Sequence, residues 1–232
     1  LLNLTGACQQ ALDLLTRRLF HPWEGGEGKV TGQYTLALTE LAKASLRQGN
    51  PEESIRLLRQ SLVYPPNLGE GKLSGAQEND TYYWLGVAYR QAGQAAEASQ
   101  CLEKAASGNL EPAIPWFYND QQPDKIFYKG LALLQLGQTQ AAAAVFDNLT
   151  AFADAHLEDT VRMDYFAVSY PEIQVWDMDF QQKNRVHCYY IRGLGRLGKG
   201  ATQPAEADFN QVLALENHHA GAWIHLHMAQ AK

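Results

Sequence analysis

The chain has 232 residues, 46% of them hydrophobic, which is ample for a core spread over one or two compact domains. A net charge of −6 disfavours broad electrostatic binding to nucleic acid or to an anionic membrane. Cys8, Cys101 and Cys188 are odd in number and far apart, so they read as thiols of a reducing, cytoplasmic setting rather than a disulfide framework.

In chain order, five glycines punctuate amphipathic stretches: Gly6, Gly49, Gly93, Gly137 and Gly200. Five residues past each stands a small residue, Ala11, Ser54, Ala98, Ala142 or Ala205. Four further on comes a large apolar one, Leu15, Leu58, Leu102, Phe146 or Phe209. Such self-similarity decides the architecture before any single motif is read. Leu1-Leu2-Asn3-Leu4 reads as the tail of a helix whose start is missing, since Gly6 already holds a turn position, and no initiator Met is present. The chain is therefore expected to be a fragment of a longer polypeptide. No segment reads as a signal peptide or a membrane span.

The best copy runs from Asn79 to Leu110, with Tyr82, Leu85-Gly86, Tyr89, Gly93, Ala98, Leu102 and Ala105. It resembles the tetratricopeptide repeat, a helix-turn-helix unit of 34 residues. The resemblance implies an all-α fold, a right-handed superhelix of stacked helix pairs. Its units span about 1–20 (partial), 35–66, 79–110, 123–150, 186–217 and 220–232 (partial), in one solenoid over 1–232. The turn glycines are 43, 44, 44 and 63 residues apart, so each interval carries an insertion beyond the unit length. Equivalent insertions emerge on one edge of a solenoid and form a ridge there.

Two insertions are copies of each other. Residues 21–32 and 64–75 share Pro-x-x-x-Gly-Glu-Gly-Lys-apolar-hydroxyl-Gly. The third runs from Glu111 to Pro123, and the fourth carries a short helix near Leu157 to Phe166. Pro22-Trp23-Glu24-Gly25-Gly26-Glu27-Gly28-Lys29, Tyr118-Asn119-Asp120, Asp164-Tyr165-Phe166 and His187-Cys188-Tyr189 are together similar to one uncharacterised bacterial family. Its members carry a domain of unknown function ahead of C-terminal tetratricopeptide repeats. The resemblance implies a module rather than a complete enzyme.

Several patterns that tempt a catalytic reading fail on spacing. Gly28-Lys29 and Gly71-Lys72 lack the glycine four residues before the pair and the hydroxyl after it that a phosphate-binding loop needs. Glu27 and Glu70 are better read as capping backbone amides or meeting the lysines. His225 and His227 stand two apart on a helix and diverge, so neither metal nor cofactor is expected. His187 and Cys188 point about 100° apart and cannot act as base and nucleophile for each other.

Two faces remain as candidate sites. In the resembled repeat, helix A positions 2, 5, 9, 12 and 13 line a concave groove. Here position 5 is Thr39, Tyr83, Phe127 and Tyr190, and position 2 adds Asp80, Asp124 and His187. Lys43, Arg47 and Arg90 contribute charge. The aromatics form a ladder for a protein or peptide, which the domain ahead of the repeats could supply, or else the insertions bury them. The second face is the loop ridge: Trp23, Glu24, Glu27, Lys29, Asn67, Glu70, Lys72, Trp116, Asn119, Asp120 and Trp176. Tryptophans beside carboxylates and amides suit an oligosaccharide, as in an accessory module of a carbohydrate-active enzyme, although loop tryptophans more often fold onto helix ends.

Overall fold

The computed structural model describes residues 1–23, 26–113, 120–161 and 179–231. Those residues form α-helices and no strand. The chain divides into two compact units, one over residues 1–107 and one in the residues from 108 onward. The first holds α1 (Cys8–Arg17), α2 (Lys29–Arg47), α3 (Pro51–Ser61), α4 (Asn79–Gln91) and α5 (Ala95–Ala105). The second holds α6 (Pro123–Gln135), α7 (Thr139–His156), α8 (Phe180–Gly198), α9 (Thr202–Leu215) and α10 (Ala220–Gln230).

The glycines close the helix pairs. Gly49, Gly93, Gly137 and Gly200 have φ of 76°, 76°, 77° and 75°, a left-handed conformation that a side chain disfavours. The residue after each glycine donates its N–H five residues back: Asn50 to Ser45, Gln94 to Tyr89, Gln138 to Leu133 and Ala201 to Arg196, at 2.8 to 2.9 Å. This is the Schellman closure, which satisfies the last carbonyls of one helix while aiming the chain into the next. At the first of these turns Pro51 opens α3, and the Asn50 side chain accepts the Glu53 N–H.

Pairing within a repeat rests on size complementarity. A Cβ on Gly86 would sit 2.6 Å from Leu102 Cγ, and one on Gly193 would sit 2.6 Å from Phe209 Cε1. Gly130 faces Phe146 in the same way, and Ala42 and Leu58, both without accessible surface, are the corresponding pair in α2 and α3. In every case the small residue of the first helix lets its backbone close on a large side chain of the second. Phe146 has a second glycine on it, because a Cβ on Gly198 of α8 would also fall within its ring. In each unit the helices pack on their chain neighbours, and α2 also touches α4, as α6 and α10 touch α8.

Two expectations need correction. Lys29 to Gly32 are not loop but the first turns of α2. The short helix near Leu157 to Phe166 does not begin there: α7 continues to His156, Leu157 and Glu158 form a turn, and residues 162–166 lie outside the described residues. Among the described residues no helix is long and apolar enough to cross a membrane.

Candidate functional site

The helix A candidates of the first unit gather on α2 and α4. Lys43 Nζ reaches Glu40 at 2.7 Å and lies 5.3 Å from the centre of the Trp84 ring, over its face. Trp84 is half-buried and meets the edge of Tyr83, their centroids 5.2 Å apart. Tyr83 itself is 7% exposed, and Asp80 is half-buried. Gln91 Nε2 donates to the Leu46 carbonyl at 3.2 Å, which draws the C-terminal ends of α4 and α2 together. The neighbours of those two residues, Arg90 and Arg47, are both exposed. Cations suit helix C-termini, where the dipole is negative. Arg47 also shares a helix face with Lys43, four residues before it. The result is one largely covered ammonium over a half-buried indole, with an exposed guanidinium at the C-terminal end of each of the two helices.

In the second unit the corresponding aromatics are interior. Phe127 is fully buried and Tyr190 is 6% exposed. Both rings pack on His225 of α10, with centroids at 5.2 and 5.8 Å. Buried rings offer a partner little area, and here they join α6, α8 and α10. The His225 Nδ1–H donates to the Gly221 carbonyl at 2.8 Å. His227 is exposed, so the two histidines do diverge. Among the described residues no group of three His, Cys, Asp or Glu side chains is placed to hold a metal. Asp124 is half-buried, 3.8 Å from Lys125 Nζ.

Cys188 is buried, and burial pushes its thiol up to about 11, which keeps it protonated and unreactive. Burial acts the opposite way on its neighbour, lowering His187 from 6.5 to about 4, against the nearby Ala113 backbone, which raises it. Folded protein thus keeps His187 neutral where the unfolded chain already takes the proton. The stability gained is full above pH 6.5 and is lost as pH falls through 4, with a slope of at most about 1.4 kcal/mol per pH unit. His219, also lowered by burial, adds a loss of the same sign. Urea unfolding at pH 7, 6, 5 and 4 should show a shallower acid loss in His187→Phe than in the wild type. Parallel curves would refute the assignment.

Sequence reasoning missed two polar features of this unit. Asp208, 2% exposed, accepts from Arg192 Nη2 at 2.9 Å and Arg196 Nη1 at 2.7 Å, so one carboxylate ties α9 to α8. Lys129 is 8% exposed on α6. Neither belongs to a motif. Only the rarity of a charge at an inward helical position could have signalled them.

On the loop ridge the second insertion is engaged with the first. Asn67 Nδ2 donates to the Leu15 and Arg18 carbonyls, each at 2.7 Å, and closes the end of α1. The Phe20 N–H returns to the Asn67 carbonyl at 2.8 Å. Leu68 is fully buried in the first unit's core. Glu70 Oε2 accepts the Gly28 N–H at 3.0 Å and the Thr31 hydroxyl at 3.1 Å, which places a carboxylate at the N-terminus of α2. Gly28 carries no side chain to do this itself. Lys72 pairs with Glu78 and donates to the Leu62 carbonyl at 2.8 Å. Glu70→Ala should cost about 1 kcal/mol and fray the first turn of α2. Amide exchange at residues 29–32 would report it, and unchanged exchange would show that the cap is idle.

The first copy is more open. Trp23 is 50% exposed, with its ring over Gly26, and Glu27 and Lys29 are exposed. Asp120 is half-buried. Glu24, Trp116, Asn119 and Trp176 lie outside the described residues.

Residues 80–117 and residues 35–60 each match the tetratricopeptide repeat. These spans hold nearly all of α4 with α5, and most of α2 with most of α3. With the ten described helices they make the fold an all-α assembly of tetratricopeptide-like helix pairs. Among solved structures the chain is similar to MamA (residues 41 to the end) from Desulfovibrio magneticus RS-1, at 16% identity, covering 84% of this chain and 83% of that one, with a TM-score of 0.29. It is also similar to a crystal structure of the nearly identical TPR-like repeats of a putative kinesin light chain from Podospora anserina, at 18% identity, 93% and 89% coverage and a TM-score of 0.36. Overlaps this loose add nothing to the assignment made from the helices and the repeats.

Proposed function

We propose that residues 1–232 act as a non-catalytic scaffold module that binds a protein or peptide. The observation that carries this reading is on α2 and α4, where Lys43 lies over the half-buried Trp84 and the C-terminal ends of the same two helices expose Arg47 and Arg90. An indole supplies large contact area at low entropic cost, and the cations select a partner with acidic side chains. Tetratricopeptide repeats are in general protein-binding and non-catalytic, which agrees. A domain preceding the repeats in a longer polypeptide is one candidate partner. The loop-ridge alternative, an oligosaccharide site, rests on the exposed Trp23 and Glu27, because Asn67, Glu70 and Lys72 are engaged with helix ends and neighbouring residues.

Calorimetric titration of the chain with acidic peptides, with the separately expressed preceding domain and with oligosaccharides separates these readings. Binding weakened about tenfold or more by Trp84→Ala and by Arg47→Glu supports the scaffold. Sugar binding lost in Trp23→Ala and kept in Trp84→Ala would replace it with the loop-ridge reading.

A further inference from the structure

Three side chains from three helices of the second unit lie against the main chain of one short segment. Lys129 Nζ on α6 donates to the Gly108 carbonyl at 2.6 Å. Asn148 Nδ2 on α7 donates to the Leu110 carbonyl at 2.9 Å. His187 on α8 lies near the Ala113 backbone. Between the last two contacts Pro112 is buried, while Leu110, Glu111 and Ala113 are exposed. Residues 109–113 are neither helix nor strand, and the Asn109 side chain sets their course by accepting the Leu110 and Glu111 N–H groups at 2.8 and 3.1 Å. Contact is therefore made to carbonyls and to one proline. That is how a surface recognises an extended peptide while asking little of its other side chains.

The holding groups suit exchange better than permanent packing. An ammonium has three donors, yet Lys129 is buried with one described acceptor, a neutral carbonyl. An apolar side chain there would avoid that desolvation. His187 Nε2 is likewise buried with no described partner. Polar groups left under-used by the segment that covers them remain available to another.

We propose that Lys129, Asn148 and His187 form a recognition site for an extended, proline-containing peptide, which residues 108–113 occupy in cis and which a partner segment of the same chemistry enters by replacing them. This site is separate from the α2 and α4 surface and stands or falls without it. A tethered occupant competes at an effective concentration near millimolar, so the free site is masked in the resting chain.

The test uses a fluorescent, end-capped peptide of residues 108–113 and two forms of the 232-residue chain: the wild type, and a variant with residues 108–113 replaced by a glycine-serine linker about twice as long, which carries no proline and leaves the carbonyls out of register. Anisotropy should show the variant binding the peptide at least tenfold more tightly. Adding Asn148→Ala to that variant should weaken binding at least fivefold. Equal affinity of the two proteins, or indifference to Asn148→Ala, overturns the proposal. Should the replaced segment impair folding, Asn148→Ala in the otherwise wild-type chain decides. Amide exchange at residues 109–111 should then quicken at least tenfold, and unchanged exchange overturns the idea.

Discussion

Phe146→Ala should lower the unfolding free energy by about 3–5 kcal/mol. The ring is 1% exposed, lies 6.1 Å from Phe127 and has the backbone of α6 at Gly130 and of α8 at Gly198 against it. Truncation of a core side chain costs least where neighbours can collapse into the void. Glycines have nothing to swing inward, and both helices are held by other contacts, so the cavity persists. Urea unfolding followed by circular dichroism measures the loss. A change below about 1 kcal/mol would mean that α6 and α8 close up freely and that the glycines do not define the packing.

Leu68→Ala should cost about 2–4 kcal/mol, an effect of core size for a residue of an inter-helix insertion. Leu68 has no accessible surface and belongs to the same apolar cluster as Leu38, Leu58 and Leu85. Asn67 and Glu70 on either side of it are bonded to the ends of α1 and α2. Its loss should therefore loosen both helix ends as well as the core. Amide exchange in residues 15–18 and 28–31 should rise with the fall in stability. A near-neutral substitution would show that the insertion rides on the first unit rather than being built into it.

The elements legible in the sequence were those set by contacts close in the chain. A turn glycine, a small residue five positions on and a large one four beyond that describe one helical hairpin. Gly93, Ala98 and Leu102 took the expected places because φ, crossing distance and side-chain volume act locally. Contacts from one insertion to another were not legible. Glu70 meets Gly28 across 42 residues, and no local pattern announces that a carboxylate will cap a helix beginning at a glycine. For that reason the start of α2 was read as loop. Thr39, Tyr83, Phe127 and Tyr190 were found by register alone, and register says which face a residue occupies, not what lies over it. Trp84, one position after Tyr83, is half-buried under Lys43 and was passed over because it falls outside the helix A positions that line a groove. The loop candidates split similarly: Asn67, Glu70 and Lys72 have polar shapes a ligand would use, and the chain's own backbone ends use them first.

Asn67 and Glu70 carry a further consequence for how such a chain can grow. Each completes a helix that belongs to the preceding interval, so a helical hairpin lifted out alone would leave α1 unclosed and α2 uncapped. The piece that can be duplicated, deleted or exchanged without damage is thus α1 together with the α2 and α3 hairpin and the insertion after it. Recombination in this chain has its natural joints past residue 75, beyond the second copy of the insertion, rather than at the turns between helices.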